Sequence, residues 1–116
     1  MATYRNLKTP IKCADDTMLN ELRIDLFYAK GRGINVSVTP VHRETRENGI
    51  VSEKCIMLGG QRESGMYIFA KRLARKSAKV ETAIATALEK KADEIAAAYD
   101  EEDYGKVKSI VLSCAI

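Results

Sequence analysis

Five basic side chains, Lys71, Arg72, Arg75, Lys76 and Lys79, fall within residues 71–79 with no acid among them. Ammonium and guanidinium groups this dense make charge-assisted hydrogen bonds to phosphate oxygens or to carboxylates. Lys71, Arg75 and Lys79 are four apart, so on a helix they share a face, with Arg72 and Lys76 beside them. Such a face tracks a phosphate backbone or an acidic protein surface without reading sequence. The competing reading is a solvated helix face, which is the commoner fate of charged runs.

A second candidate is the glycine-rich stretch 59–65. Free N–H groups at a helix start attract anions, and Arg62 and Ser64 add donors. The phosphate-loop pattern is absent, because Met66 follows Gly65 where that pattern requires Lys. A flexible connector with a Ser cap is the plain alternative.

Catalytic and metal chemistry find little support. His42 is the one histidine and lies in a charged turn. No G-x-S-x-G elbow is present. Lys54 and Cys55 alternate along an expected strand, so their side chains point apart and the thiol lacks a basic neighbour. Asp15, Asp16, Glu21 and Asp25 are close but fit no cation-loop spacing. No catalytic residue, metal ligand or cofactor is assigned. Aromatic stacking residues are scarce: with two Phe, five Tyr and no Trp, only Tyr28 and Tyr67 lie near basic residues in sequence. That argues against a dedicated single-strand binder.

The elements that must position these groups follow from periodicity. Residues 66–99 contain no Gly or Pro and are rich in Ala, Leu, Lys, Arg and Glu. This predicts one long helix with Phe69, Leu73, Val80, Ile84, Leu88, Ile95 and Tyr99 as its apolar stripe. Upstream the period is two. Leu22, Ile24, Leu26 and Tyr28 alternate with Arg23, Asp25 and Phe27, and Ile34, Val36 and Val38 with Asn35, Ser37 and Thr39. The glycine pair Gly31 and Gly33 suits a hairpin between these strands. A third strand is expected over residues 50–58, after the Asn48-Gly49 turn. The expected fold is α+β: a three-stranded antiparallel meander (21–58) packed against one long helix (66–99). An irregular arm (1–20) precedes it and a short helix (103–115) follows, all in a single domain of 116 residues. The acids at 100–103 suit a helix start better than a helix end.

Composition narrows the class. A net charge of +3 is too small to mark a nucleic-acid binder by bulk charge. No apolar run is long enough to span a bilayer. Cys13, Cys55 and Cys114 are odd in number, with no C-x-x-C pair, and read as free thiols of a cytoplasmic protein. A thirty-residue helix reaches roughly 45–50 Å, whereas a nine-residue strand spans about 30 Å. Its far end, residues 84–99, would expose apolar side chains, so homo-oligomerisation is expected.

The segments Glu-Leu-Arg-Ile-Asp-Leu-Phe-Tyr (21–28), Gly-Ile-Asn-Val-Ser-Val-Thr-Pro-Val (33–41) and Lys-Arg-Leu-Ala-Arg-Lys-Ser-Ala-Lys (71–79) carry a resemblance. Over about half the chain it resembles small proteins of phages and conjugative elements of gut bacteria. The resemblance implies a mobile-element protein that binds without catalysis. It would inhibit a host defence nuclease, as an anti-CRISPR does, by gripping a protein or nucleoprotein. The alternative it leaves is a nucleic-acid-binding accessory protein of a phage or plasmid.

Overall fold

In the computed structural model, residues 2–116 are described. Two long strands form the centre. β2 (Met18–Ala29) and β3 (Gly33–Thr45) pair antiparallel from Glu21↔Val41 to Ala29↔Gly33. Their alternation puts Leu22, Ile24, Leu26, Ile34, Val36 and Val38 on one face, and all six are buried. Burying each such side chain contributes roughly 1.5–3 kcal/mol.

The residues expected to be an irregular arm form an edge strand, β1 (Ala2–Lys12), on the outer side of β2. The ladder slips between Asn6 and Ile11, so Leu7–Pro10 bulges where Pro10 could not donate. The amides of Lys8 and Thr9, freed by the bulge, donate to the Asp100 carboxylate at 3.0 and 3.1 Å. A helix end thus blunts an edge that would otherwise offer unpaired donors.

The other edge of β3 is shared. Its far end, His42–Thr45, carries β4 (Val51–Lys54), a four-residue remnant of the strand expected over 50–58. A single helical turn, α1 (Gln61–Ser64), comes next in the chain. The near end of β3, Gly33–Val38, pairs with β5 (Met66–Arg72). The expectation of a helix from residue 66 is therefore corrected: the first seven residues are a fifth strand. Composition favoured a helix, but β3 has a row of backbone donors and acceptors that must be paired. Tyr67, Ile68 and Phe69 suit a pleated surface, so tertiary pairing overrides local propensity. The sheet is antiparallel with five strands and is not a three-stranded meander.

Gly33 joins this arrangement closely. Its φ is +145°, and a Cβ there would lie 2.0 Å from the Lys71 carbonyl oxygen and 2.8 Å from the Leu73 nitrogen. Gly33→Ala is expected to cost about 1–3 kcal/mol, read as a lowered urea midpoint. An unchanged midpoint would mean that β5 is not held against β3 at that point.

The long helix, α2 (Ala78–Asp100), starts where Ser77 caps it, accepting from the Val80 amide at 3.3 Å. Ile84, Leu88, Ala92, Ile95 and Tyr99 form its buried stripe. Asp103 caps α3 (Tyr104–Cys114) by accepting from the Lys106 amide at 3.1 Å. α3 folds back so that Val107 and Val111 are buried beside α2. With 23 residues, α2 is roughly 35 Å long. Strands of 11 to 13 residues run to roughly 36–43 Å. The apolar residues expected to be exposed toward the helix's far end, Ile84, Leu88, Ile95 and Tyr99, are buried within a single copy of the chain and do not require a second one to cover them. No helix among the described residues is long and apolar enough to cross a membrane.

Candidate functional site

The basic residues do not gather on one helix face. Lys71 and Arg72 stand in β5, Arg75 and Lys76 lie in the link to α2, and only Lys79 is helical. Lys76 is paired with Glu81 at 2.9 Å and lies 5.7 Å from the Tyr28 ring centre. Lys71 and Lys79 line a groove of about 630 Å³ with Val80, Ile84 and Ala115, on the helix side of the sheet.

A bulge sends Lys71 and Arg72 to opposite faces. Ile34 pairs with Lys71 but Asn35 pairs with Phe69, leaving Ala70 as an extra residue. Directly paired residues share a face, so Lys71 goes to the helix side with Ile34. Arg72, opposite Gly33, joins Phe69 on the other face. There Gly31, Arg32, Phe69 and Arg72 surround a hollow of about 260 Å³.

The glycine-rich loop is equally altered. Its helix is one turn of four residues, too short for a useful dipole. The Ser64 hydroxyl donates back to the Gly60 carbonyl at 2.7 Å. The Arg62 carbonyl accepts from the Tyr99 hydroxyl at 2.7 Å. The Ser64 hydroxyl and the Arg62 carbonyl are thus both engaged in closing the loop.

The sheet has one face covered by α2, and its other face carries a set of side chains that sequence reasoning missed. Phe27 of β2, Tyr67 of β5 and Phe69 of β5 are 42%, 72% and 52% exposed. Large aromatic rings left in water at three places on one sheet face are unusual, since each would bury well. Phe27 and Phe69 flank Asn35 from either side, as its two direct cross-strand partners. Tyr67 pairs with Ser37, and its ring meets Phe27 edge-on with centroids 6.5 Å apart. Asn35 is half-buried between Phe27 and Phe69, while Ser37 and Thr39 farther along β3 are buried. Arg32 and Arg72 stand at the Phe69 end, and neither has an ion-pair partner among the described residues.

A signal for this face was present. Residues 66–70 alternate as Met-Tyr-Ile-Phe-Ala, and Phe27 is the one aromatic in the polar register of its strand. Both were hidden by reading 66–99 as one helical stripe, which placed Phe69 in the core.

The other half of the same face is closed by a charged lattice. Glu53 of β4 reaches across to Arg23 of β2 at 2.5 Å and to the Tyr4 hydroxyl of β1. Arg43 grips Glu21 with two hydrogen bonds at 3.0 and 2.7 Å, and its guanidinium lies 3.7 Å from the Tyr4 ring centre. Desolvation, and after it the Glu53 carboxylate, push the Tyr4 phenol up to about 12. Desolvation pushes the Glu53 carboxyl up, but the hydrogen bonds from Tyr4 and Arg23 outweigh it and hold its pKa below the ordinary value. On the loop before β2, the hydrogen bond from Lys54 holds Asp15 down, at about 2.

These two depressed carboxyls set an acid limit. Each contributes stability that is fully present above its unfolded pKa and is lost as pH falls through its folded one. Stability is expected to decline as pH drops below about 4.5, the ordinary Glu value. Glu53→Gln should flatten part of that decline and leave the share due to Asp15. Urea titrations across acidic pH read this directly, and an identical slope in both proteins would remove Glu53 from the account.

The remaining candidates do not converge. Both ring nitrogens of His42 face acceptors, the Met18 carbonyl at 3.1 Å and Glu44 at 2.9 Å. Cys13 and Cys114 are buried, Cys55 is half-buried, and all three are free thiols. Among the described residues no three His, Cys, Asp or Glu side chains gather in a way that could hold a metal ion. No protein-family model, no curated protein and no solved structure matches this chain.

Proposed function

We propose that the protein binds single-stranded nucleic acid without catalysis, on the face of its sheet opposite α2. The observation that carries this reading is the exposed set Phe27, Tyr67 and Phe69 beside Arg32 and Arg72. Every base has a π-face, and stacking it on an aromatic side chain is worth roughly 1–3 kcal/mol. Exposed rings on a sheet, with cations at the margin for phosphates, are what recognition of unpaired strands requires. A duplex hides those π-faces within its stack. In the mobile-element setting that the sequence resemblance implies, this is the accessory-protein reading, with a cytoplasmic strand as partner. Of the five clustered cations, Arg72 carries it; Lys71, Arg75, Lys76 and Lys79 add at most a distant positive field.

Fluorescence anisotropy with labelled strands tests the reading. A single strand should bind more tightly than a duplex of the same sequence. With about two phosphates neutralised, log K should fall against log salt with a slope near −1.4. Equal affinity for duplex, or no binding at low salt, would overturn it. No binding would leave an acidic or nucleoprotein partner, the inhibitor reading, as the explanation for the exposed face.

A further inference from the structure

We infer that the groove on the helix side of the sheet binds a medium-chain fatty acid, with its carboxylate on Lys71 and Lys79. The groove holds about 630 Å³, within the roughly 300–1,000 Å³ of small-molecule sites. Val80, Ala83, Ile84 and Ala87 of α2 and Ala115 at the end of α3 give it an apolar wall. Lys71 stands in it because of the bulge at Ala70. Strict alternation from Tyr67 and Phe69 would send residue 71 to the open face, and the extra residue turns it inward instead. Bulges re-aim side chains in this way beside functional sites. Lys71 is half-buried, and neither it nor Lys79 has an ion-pair or hydrogen-bond partner among the described residues. Lys76 nearby is, by contrast, held by Glu81 at 2.9 Å. A cation turned toward an apolar wall, with no carboxylate of the chain to meet it, leaves the counter-ion to a ligand.

The lining selects the ligand. A carboxylate accepts from ammonium donors through both of its oxygens, so one head group answers both lysines. The apolar wall requires the rest of the molecule to be aliphatic. Val80 to Ala87 covers roughly 10 Å of helix, the reach of an alkyl chain of about eight carbons. Inorganic phosphate would leave that wall in water, and an uncharged chain would leave the lysines unpaired. The groove lies across the sheet from Phe27, Tyr67 and Phe69, so it stands or falls apart from the strand-binding reading.

Isothermal titration calorimetry with octanoate tests the inference. Octanoate should bind at one site, about tenfold more tightly than 1-octanol, as a charge-assisted contact supplies. Acetate and octylammonium should show no binding. Affinity should rise about fourfold per methylene from hexanoate to octanoate. Lys71→Gln should weaken octanoate about tenfold and leave 1-octanol unchanged. Lys79→Gln, at an exposed position, repeats that measurement if the first variant folds poorly. Ala83→Leu keeps a good helix former at an exposed site and fills the groove, so it should weaken both ligands. Three results would overturn the inference. One is the absence of octanoate binding at millimolar concentration. Another is 1-octanol or octylammonium binding as tightly as octanoate, which would be apolar adhesion alone. The third is an octanoate affinity unchanged in Ala83→Leu or in both lysine variants, which would put the ligand elsewhere.

Discussion

Phe27→Ala, Tyr67→Ala and Phe69→Ala combined in one chain should weaken single-strand binding by at least about a hundredfold, with the fold intact. Each ring contributes roughly 1–3 kcal/mol to a stacked base, and 1.4 kcal/mol is a factor of ten. Three neighbouring contacts are not additive, so the expected loss is about 3–6 kcal/mol rather than the full sum. Stability should change far less. The rings are largely exposed, so little apolar burial is lost, and the Phe27–Tyr67 edge contact is worth about 0.5–1.5 kcal/mol. Arg72→Ala provides the matching electrostatic measurement. It should reduce the salt slope by about 0.7, one phosphate on a single strand, and leave the stacking contribution in place. If the triple variant binds as tightly as the wild type, the open face is not the binding surface.

Tyr99→Ala should be the most damaging single change to stability, at about 3–5 kcal/mol. Stabilities of natural domains are about 5–15 kcal/mol, so this takes a large share. Tyr99 is among the largest fully buried side chains, and its ring meets Tyr104 edge-on at 5.6 Å. Its hydroxyl donates to the carbonyls of Gln61 and Arg62 at 2.9 and 2.7 Å. One side chain therefore locks the end of α2, the start of α3 and the loop that delivers β5 to the sheet. Burial raises its phenol pKa well above the ordinary value, so it remains a neutral donor at physiological pH. Tyr99→Phe separates the two roles. It keeps the packing and should cost only about 1 kcal/mol, with strand binding unaltered because Tyr99 lies away from the open face. Thermal and urea unfolding of both variants check this. A Tyr99→Phe loss as large as that of Tyr99→Ala would mean that the hydroxyl, rather than the packed ring, holds the junction.

Much of the architecture was legible because it is local. Period-two alternation over residues 22–28 and 34–39 assigns each side chain to a face without knowing any partner. Helical spacing from Val80 to Tyr99 does the same for α2, and the acids at 100–103 mark the junction where Asp103 caps α3. That the chain is α+β, with an antiparallel sheet, a long helix and a short final one, follows from these patterns.

What the patterns could not decide depends on pairing between distant strands. Residues 66–72 combine a helix-compatible composition with a short alternation, and pairing with the edge of β3 decided for a strand. That one pairing dispersed the cations expected to share a face. Its bulge at Ala70 turned Lys71 inward and Arg72 outward, and it brought Tyr67 and Phe69 opposite Phe27. The residues of the candidate site lie some forty positions apart in the chain. Backbone hydrogen bonds between strands set their register, and no local periodicity encodes such a register. The identities of these side chains were therefore the sequence's own, and their faces in β5 and their meeting were decided by the sheet.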